Sequence, residues 1–384
     1  MVGSATTGDS LAVMPKEAKE AKEAKEGKEP PRKPKKPKNL EKEVDRVRTV
    51  VSRVAKKDGP VLAGPFTGEV GLELLYWVPF LRWVVQEFPD LQGRLTAISR
   101  GGTEPWLEGL DIDYIDILSL FPPEAFARHR ALSDKQRHGM ADFEEEVCAA
   151  VKRERGYASA AVLHPSVLYQ AYFRFLKVNQ LAYPISIGEP GSRVVHGLTS
   201  VYQPIPAPEL GVLADLLPDE YVAVRLYSSS SFPDDDAGRQ FASRVIEALS
   251  RRTNVVLLGH PFSLDEHQDV RGEFPDGVIS IDHVLRPENN LALQTALVGH
   301  AKAFVGTYGG FSYLAPFLGV PSLSFSMDRA KTHSWHYTLA ERIFQGPEWG
   351  DFVALRNNDL PLVDLVSRDF AFDEQPASRE RVRL

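Results

Sequence analysis

Phe304-Val-Gly-Thr-Tyr-Gly-Gly-Phe-Ser-Tyr-Leu-Ala-Pro-Phe-Leu-Gly-Val-Pro-Ser-Leu-Ser-Phe325 reads as strand, glycine turn, short helix, stop and strand. Ala303 to Val305 is a short buried strand, and Gly306 to Gly310 a tight turn. Ser312 is placed to cap the following helix, because a hydroxyl accepts a bond from an orphan N–H. Pro316 lies early in that helix, Gly319 ends it, and Val320 to Phe325 form the next strand. A helix entered through two glycines offers bare N–H groups and the positive end of a dipole, so it suits an anion. The same residues also fit a plain glycine turn of an α/β protein.

Working outward, the flanking sequence repeats the alternation of strand and helix. On the carboxyl side of the chain, the strands are Tyr221 to Leu226, Asn254 to Leu258 and Val278 to Ile281, with helices over Ala237 to Ser250 and Leu291 to His300. On the amino side, the strands are Val61 to Ala63, Leu95 to Ser99 and Tyr114 to Leu118. Helices are expected over Leu72 to Phe88, despite Pro79, and over Asp142 to Arg155 and His164 to Leu176. Alternation of this kind predicts mostly parallel sheets covered on both faces. The reading is therefore an α/β chain of two Rossmann-like, doubly wound domains facing a cleft. The first spans 58–215 and the second 216–384, with a proline-rich junction over 182–218. Ligands in such sheets sit beyond the carboxyl ends of the strands.

Residues 1–39 carry Lys-Glu-Ala repeats and then alternating prolines and bases, which predicts a disordered charged tail. Leu40, Val44, Val47, Val51 and Val54 make a narrow apolar seam on an amphipathic helix over 40–57. That helix packs on the body or, as the second option, pairs two copies in a homodimer. Residues 1–57 hold 16 Lys/Arg and 9 Asp/Glu, a net of +7, so the rest carries −14 of the total −7. The charge of the body does not suit nucleic acid. The single cysteine, Cys148, rules out an intrachain disulfide and any multi-cysteine metal site. No apolar run reaches spanning length, so the expected setting is cytoplasmic, with the inner face of the membrane as a peripheral option.

The opening stretch resembles the donor-site segment of GT-B glycosyltransferases, where a glycine turn and helix hold the diphosphate of a nucleotide sugar. Its run Ala315-Pro-Phe-Leu-Gly-Val-Pro-Ser322 is similar to the "AAxLGVPVV" run of the ADP-heptose heptosyltransferases and to the corresponding run of UDP-sugar 2-epimerases. Heptosyltransferases carry Asp-Thr-Gly and then His where this chain has Tyr308-Gly309-Gly310 and Tyr313. Thr67-Gly-Glu-Val-Gly-Leu-Glu-Leu-Leu-Tyr-Trp-Val-Pro-Phe-Leu-Arg82 resembles the start of the same family, in which an acid after the glycine acts as base on the acceptor hydroxyl. Glu69 stands at that place, with Glu73 one turn on as substitute. The resemblance implies a nucleotide-sugar donor as co-substrate, no separate cofactor, and an acceptor that is a glycan, a lipid-linked sugar or a small molecule. A sugar-nucleotide epimerase or hydrolase, and a noncatalytic nucleotide-sugar binder, remain the alternatives.

Other residues sit at strand ends and are candidates for the donor. Arg225, followed by Ser228, can clamp a diphosphate bidentately, or can pair with Asp234 to Asp236. GT-B fucosyltransferases place an arginine at a similar strand end. Gly259, His260 and His283 suit the base or ribose, and Thr307, Tyr308, Gly309, Gly310 and Ser312 suit the diphosphate. Asp234 to Asp236, and Asp111 with Asp113, match an Asp-x-Asp metal motif but are explained locally by a helix start and a strand start. His333 and His336 share a helical face without a third ligand nearby, so no metal is expected. The tail is expected to be dispensable. Deleting residues 1–39 should leave the melting temperature and any donor affinity nearly unchanged, and a drop of several degrees would show that the tail docks on the body.

Overall fold

The computed structural model describes residues 40–132, 136, 139–171, 195–229, 231–260, 262, 264, 267–269, 274–275, 277–327 and 334–355. The expected tail 1–39, residues 182–194 of the proline-rich junction, His333 and the residues after 355 lie outside the described residues.

Two parallel sheets organise the chain. The amino-terminal sheet contains β1 (Val61–Ala63), β2 (Leu95–Ser99), β3 (Asp113–Asp116) and β4 (Ala161–Leu163), in the order β3-β2-β1-β4. In the carboxyl-terminal sheet are β5 (Tyr221–Arg225), β7 (Asn254–Leu257), β9 (Val278–Ser280), β10 (Ala303–Thr307), β11 (Ser322–Phe325) and β12 (Phe352–Leu355). Its order is β12-β11-β10-β5-β7-β9, with every pair parallel. Two short strands, β6 (Tyr227–Ser228) and β8 (Gln268–Asp269), form an antiparallel ribbon beside it. In both sheets the chain starts in the middle, moves outward on one side and then returns to the other. That reversal leaves a crevice at the carboxyl ends of β1 and β4, and another at those of β5 and β10.

Burial follows the two-residue strand period. In β5, Val222 and Val224 face Phe241, Ala242, Val245, Ile246 and Leu249 of helix Asp236–Ser250, while Tyr221 and Ala223 join the opposite cluster. In the amino-terminal sheet, Leu62, Ile98 and Ile115 pack on Val147, Cys148 and Val151 of helix Asp142–Glu154. The remaining faces of both sheets feed one continuous hydrophobic cluster that contains Val61, Leu95, Tyr221 and Phe304. The helix expected over 40–57 runs from Leu40 to Ala55. Its seam residues Val47, Val51 and Val54 are buried in that shared cluster, and Val44 is buried as well. The described part of the seam is covered by the protein's own core, the first of the two placements expected for this helix. Among the described residues, no helix is long and apolar enough to cross a membrane.

The helix after β1 shows how proline is accommodated. It opens with a turn at Val70–Leu72, widens into a π-helical segment at Glu73–Trp77, and continues as an α-helix over Val78–Glu87. The Val78 N–H reaches the Glu73 carbonyl, and Pro79 contributes no N–H at all. The carbonyl of Leu75, inside the widened turn, accepts the Tyr202 hydroxyl at 3.0 Å. Elsewhere the expected elements that lie within the described residues shift by a residue or two, and one differs in kind; residues 172–176 of the helix expected over His164 to Leu176 lie outside the described residues. The expected third strand, Tyr114 to Leu118, stops at Asp116, whose carboxylate accepts the Leu118 N–H at 2.8 Å and starts a one-turn helix, Ile117–Leu120.

The opening stretch forms β10, helix Gly310–Phe317 and β11. Gly319 ends the helix at φ +76°: its N–H bonds the Pro316 carbonyl, and the Val320 N–H bonds that of Ala315. The start differs from expectation. Gly309 is the cap, and Ser312, three residues on, accepts the Gly309 N–H at 3.1 Å and donates to the Gly309 carbonyl at 2.7 Å.

The two halves meet at close backbone contacts. The Gly101 carbonyl accepts N–H groups from Leu291 and Ala292, at 2.7 and 3.1 Å, and so caps helix Asn290–Gly299. The Trp106 indole N–H donates to the Thr295 hydroxyl at 2.9 Å. At the other contact, a Cβ built on Gly310 would lie 2.6 Å from Cβ and Cγ1 of Val70 and 2.9 Å from the Gly71 nitrogen. Gly310→Ala should therefore push backbone against backbone and cost on the order of 1–3 kcal/mol. Thermal unfolding of the variant checks this: a fall of several degrees is expected, and an unchanged melting temperature would show that the halves are not held this tightly.

Candidate active site

The crevice between β5 and β10 brings Arg225 and the glycine turn together. Arg225 ends β5 beside Gly306 of β10 and is buried. Its Nε donates to Asp269 Oδ1 at 3.1 Å, and Nη1 donates to Gln294 Oε1 at 3.2 Å. Its Cζ lies 4.4 Å from the ring centre of Phe311, the residue after Gly310, and 5.7 Å from that of Tyr227. The alternative pairing with Asp234 to Asp236 does not occur. Asp234 and Asp236 pair with Arg239, and Asp235 caps the next helix through the Gly238 N–H.

The other donor candidates divide into groups already engaged and groups lining a pocket. The Thr307 hydroxyl accepts the Tyr227 N–H at 3.0 Å and donates to the Tyr227 carbonyl at 3.1 Å, tying the ribbon to β10. Ser312 is engaged with Gly309. Tyr308 is buried, with its ring 5.7 Å from that of Tyr313. Ser228 makes a long contact, 3.4 Å, to the Gln268 carbonyl. Gly259, His260, Arg225, Asp269, Ser280 and Asp282 line a cavity of about 310 Å³ at the ends of β5, β7 and β9. Apolar walls come from Leu226, Leu258 and Phe274. His283 is exposed in the short turn Asp282–Val284 and is absent from the cavity lining.

On the amino side, Glu69 occupies the N-cap position of the helix after β1, with extended backbone and no side-chain capping bond. It precedes Val70, whose side chain rests against Gly310. The backbone on either side is fixed by two buried polar systems. Glu73, the substitute base, is fully enclosed and pairs with Arg100, while accepting bonds from Ser99 Oγ at 2.6 Å and Thr103 Oγ1 at 3.4 Å. Burial raises its pKa, and Arg100 with these bonds pulls against that rise. Arg100 also donates to the Gly68 carbonyl at 2.9 Å. Glu73 is thus a structural counter-ion and is not placed to serve as base.

The second system lies in the crevice between β1 and β4. Glu144 Oε1 accepts the Thr67 hydroxyl at 2.8 Å and the Gln136 amide at 2.6 Å. Its Oε2 accepts the Ala141 N–H at 2.8 Å and His164 Nε2 at 3.2 Å. His164 Nδ1 accepts the Ser166 N–H at 3.2 Å, which places the ring proton on Nε2, facing Glu144. His129 Nε2 stands 3.2 Å from Thr67 Oγ1 and 3.5 Å from Glu144 Oε1. Burial works to raise the Glu144 pKa, but bonds from His129, His164 and Ala141 together hold it well below the usual carboxylate range.

Asp269, Gln294, Glu144, His164 and Arg100 all escaped sequence reasoning. Glu144 left one readable signal, an acid three residues after a helix start, but it sits in an acidic run that reads as a solvated face. His333 of the expected His333–His336 pair lies outside the described residues. His336 meets the Tyr76 hydroxyl at 2.8 Å. Among the described residues, no group of three His, Cys, Asp or Glu is arranged to hold a metal ion.

No protein-family model and no curated protein matches the chain. Solved structures similar to it include the glycosyl transferase family 9 protein of Veillonella parvula, at 14% identity and TM-score 0.43, covering 83% of this chain and 93% of that one. E. coli ADP-heptose lps heptosyltransferase II is similar at 12% identity and TM-score 0.42, covering 81% and 98%. The iron-containing dodecameric glycosyltransferase TibC of enterotoxigenic E. coli is similar at 16% identity and TM-score 0.37, covering 70% of this chain. This chain spans 58% of TibC.

Glu144 provides a test of the amino-side geometry. A carboxylate held below its ordinary pKa stabilises the fold at neutral pH. That contribution is lost as pH falls below about 4.5 toward its folded value. Glu144→Gln turns an amide N–H₂ toward groups that are themselves donors, and should cost about 2–4 kcal/mol at pH 7. Denaturant melts of parent and variant from pH 7 to pH 3.5 should show the gap narrowing with acid, and a gap independent of pH would refute the charged assignment.

Proposed function

We propose that the protein transfers a sugar from a nucleotide-sugar donor to an acceptor hydroxyl. The observation that carries this reading is the meeting of two strand-end loops. Glu69 adjoins Val70, Val70 rests on Gly310, and Phe311 stacks under Arg225. The loop that carries Glu69 and the turn beneath Arg225 thus meet at one junction between two doubly wound sheets. Arg225 and the glycine turn serve the donor diphosphate, and the adjoining cavity of about 310 Å³ serves the nucleoside.

The acceptor oxygen attacks the anomeric carbon as the bond to the diphosphate oxygen breaks. The bonding pair leaves with the diphosphate, and Glu69 takes the acceptor proton. Direct displacement of this kind inverts the anomeric centre. Arg225 neutralises the leaving charge, so the step runs without a divalent metal. A cytoplasmic setting accords with the single thiol, Cys148, which is buried and whose pKa burial pushes up to about 11.

Two variants separate the halves of the site. Binding is measured by calorimetry against ADP, GDP, UDP and CDP, and turnover by nucleoside diphosphate release from the matching sugar nucleotides. Arg225→Ala should weaken nucleotide binding on the order of thirty-fold or more, as expected for a lost charge-assisted contact worth about 2–4 kcal/mol where it is desolvated. Glu69→Gln should leave binding within a few-fold and reduce turnover about a hundred-fold or more. Normal turnover by Glu69→Gln would exclude it as the base. Undiminished binding by Arg225→Ala would move the donor site elsewhere.

A further inference from the structure

Arg225 is already paired with a carboxylate, and the neighbour that shares it has a donor to spare. Gln294 is fully buried on helix Asn290–Gly299. Its Oε1 is committed to Arg225 Nη1, yet its Nε2 is enclosed without a hydrogen-bond partner. Buried amide donors are rarely left unpaired, because the water they gave up is not replaced. An acceptor is therefore missing beside a guanidinium. Asp269 is the acceptor on the other edge of Arg225, through Oδ1 to Nε. Its Oδ2 is held by the His260 N–H at 3.2 Å. Asp269 belongs to the two-residue strand β8, which among the described residues pairs with the equally short β6.

We propose that Asp269 stands on Arg225 in place of the donor's anionic oxygen, and that the donor binds by exchange, displacing Asp269 and giving Gln294 Nε2 its missing acceptor. The ligand class is a diphosphate or a group with the same paired anionic oxygens. The proposal rests on the donor reading of Arg225. It adds two things to that reading: a carboxylate that competes with substrate, and a glutamine that binds it. An empty Arg225 would be a buried charge without a counter-ion. Asp269 removes that penalty while the site is vacant and weakens every ligand by the strength of its own bond.

Two near-isosteric substitutions should move affinity in opposite directions. Asp269→Asn keeps an acceptor for the His260 N–H but gives up the competing charge. Gln294→Glu keeps the acceptor for Arg225, deletes the spare donor and adds a negative charge. The full chain and both variants are titrated by calorimetry with ADP, GDP, UDP, CDP and inorganic pyrophosphate, with melting temperature recorded for each. Asp269→Asn should tighten binding about ten-fold, and Gln294→Glu should weaken it by more than ten-fold while remaining folded. Binding by Asp269→Asn no tighter than the parent's overturns the exchange. Binding by Gln294→Glu equal to the parent's overturns the role of Gln294, and this arm stands even if the other variant fails to fold. Opposite shifts seen with pyrophosphate, with no nucleotide binding better than pyrophosphate, would uphold the exchange and refute the nucleotide reading. Absence of binding by all three proteins would refute both.

Discussion

Val70 fills the space where any residue but glycine at 310 would carry its side chain. That contact couples the loop after β1 to the start of the helix after β10, and so fixes how the two sheets face each other. The Gly101 carbonyl, which caps helix Asn290–Gly299, acts in the same way a short distance off. The second joint uses backbone groups, which have no rotamers to lose, and the first uses a β-branched valine, which has few, so both cost little side-chain entropy.

Around these joints the polar groups are arranged for rigidity. Glu144 gathers donors from Thr67, Gln136, Ala141 and His164, and Arg100 ties Glu73 to the Gly68 carbonyl. Thr67 and Gly68 are therefore both pinned from beneath, immediately before Glu69. Buried charges of this kind add little net stability compared with a well-packed apolar core, but they do specify one geometry. The carboxyl side differs. There the charged residue at the strand end, Arg225, meets a carboxylate on a two-residue strand and one buried glutamine. One side of the junction is a network around two carboxylates, and the other is a single arginine with two side-chain partners.

The fold was readable because it is encoded locally. Buried runs such as Val222-Ala-Val224, the turn at Gly309-Gly310 and the stop at Gly319 carry their meaning within a few residues. Misreadings arose where one residue type serves two local roles. Ser312 fits a cap, yet in a helix entered through Gly309 it is the residue three places on. Asp116 fits the interior of a strand, yet it caps the next helix. Arg225 could be picked from the sequence as a strand-end arginine, but its partners could not, since Asp269 and Gln294 lie 44 and 69 positions away. Glu144 and Thr67 are 77 apart. No periodicity or motif links residues at such separations, and only the folded chain brings them together.

The bond from the Tyr202 hydroxyl to the Leu75 carbonyl staples the helix after β1 to a stretch of chain 127 positions further on. A backbone carbonyl can accept two bonds, so the tyrosine adds to what the widened turn supplies and does not compete with it. The ring of Tyr202 packs against the shared core while its hydroxyl reaches the helix backbone, so the place where the chain crosses from the first sheet toward the second is set by a polar tip as well as by apolar contact.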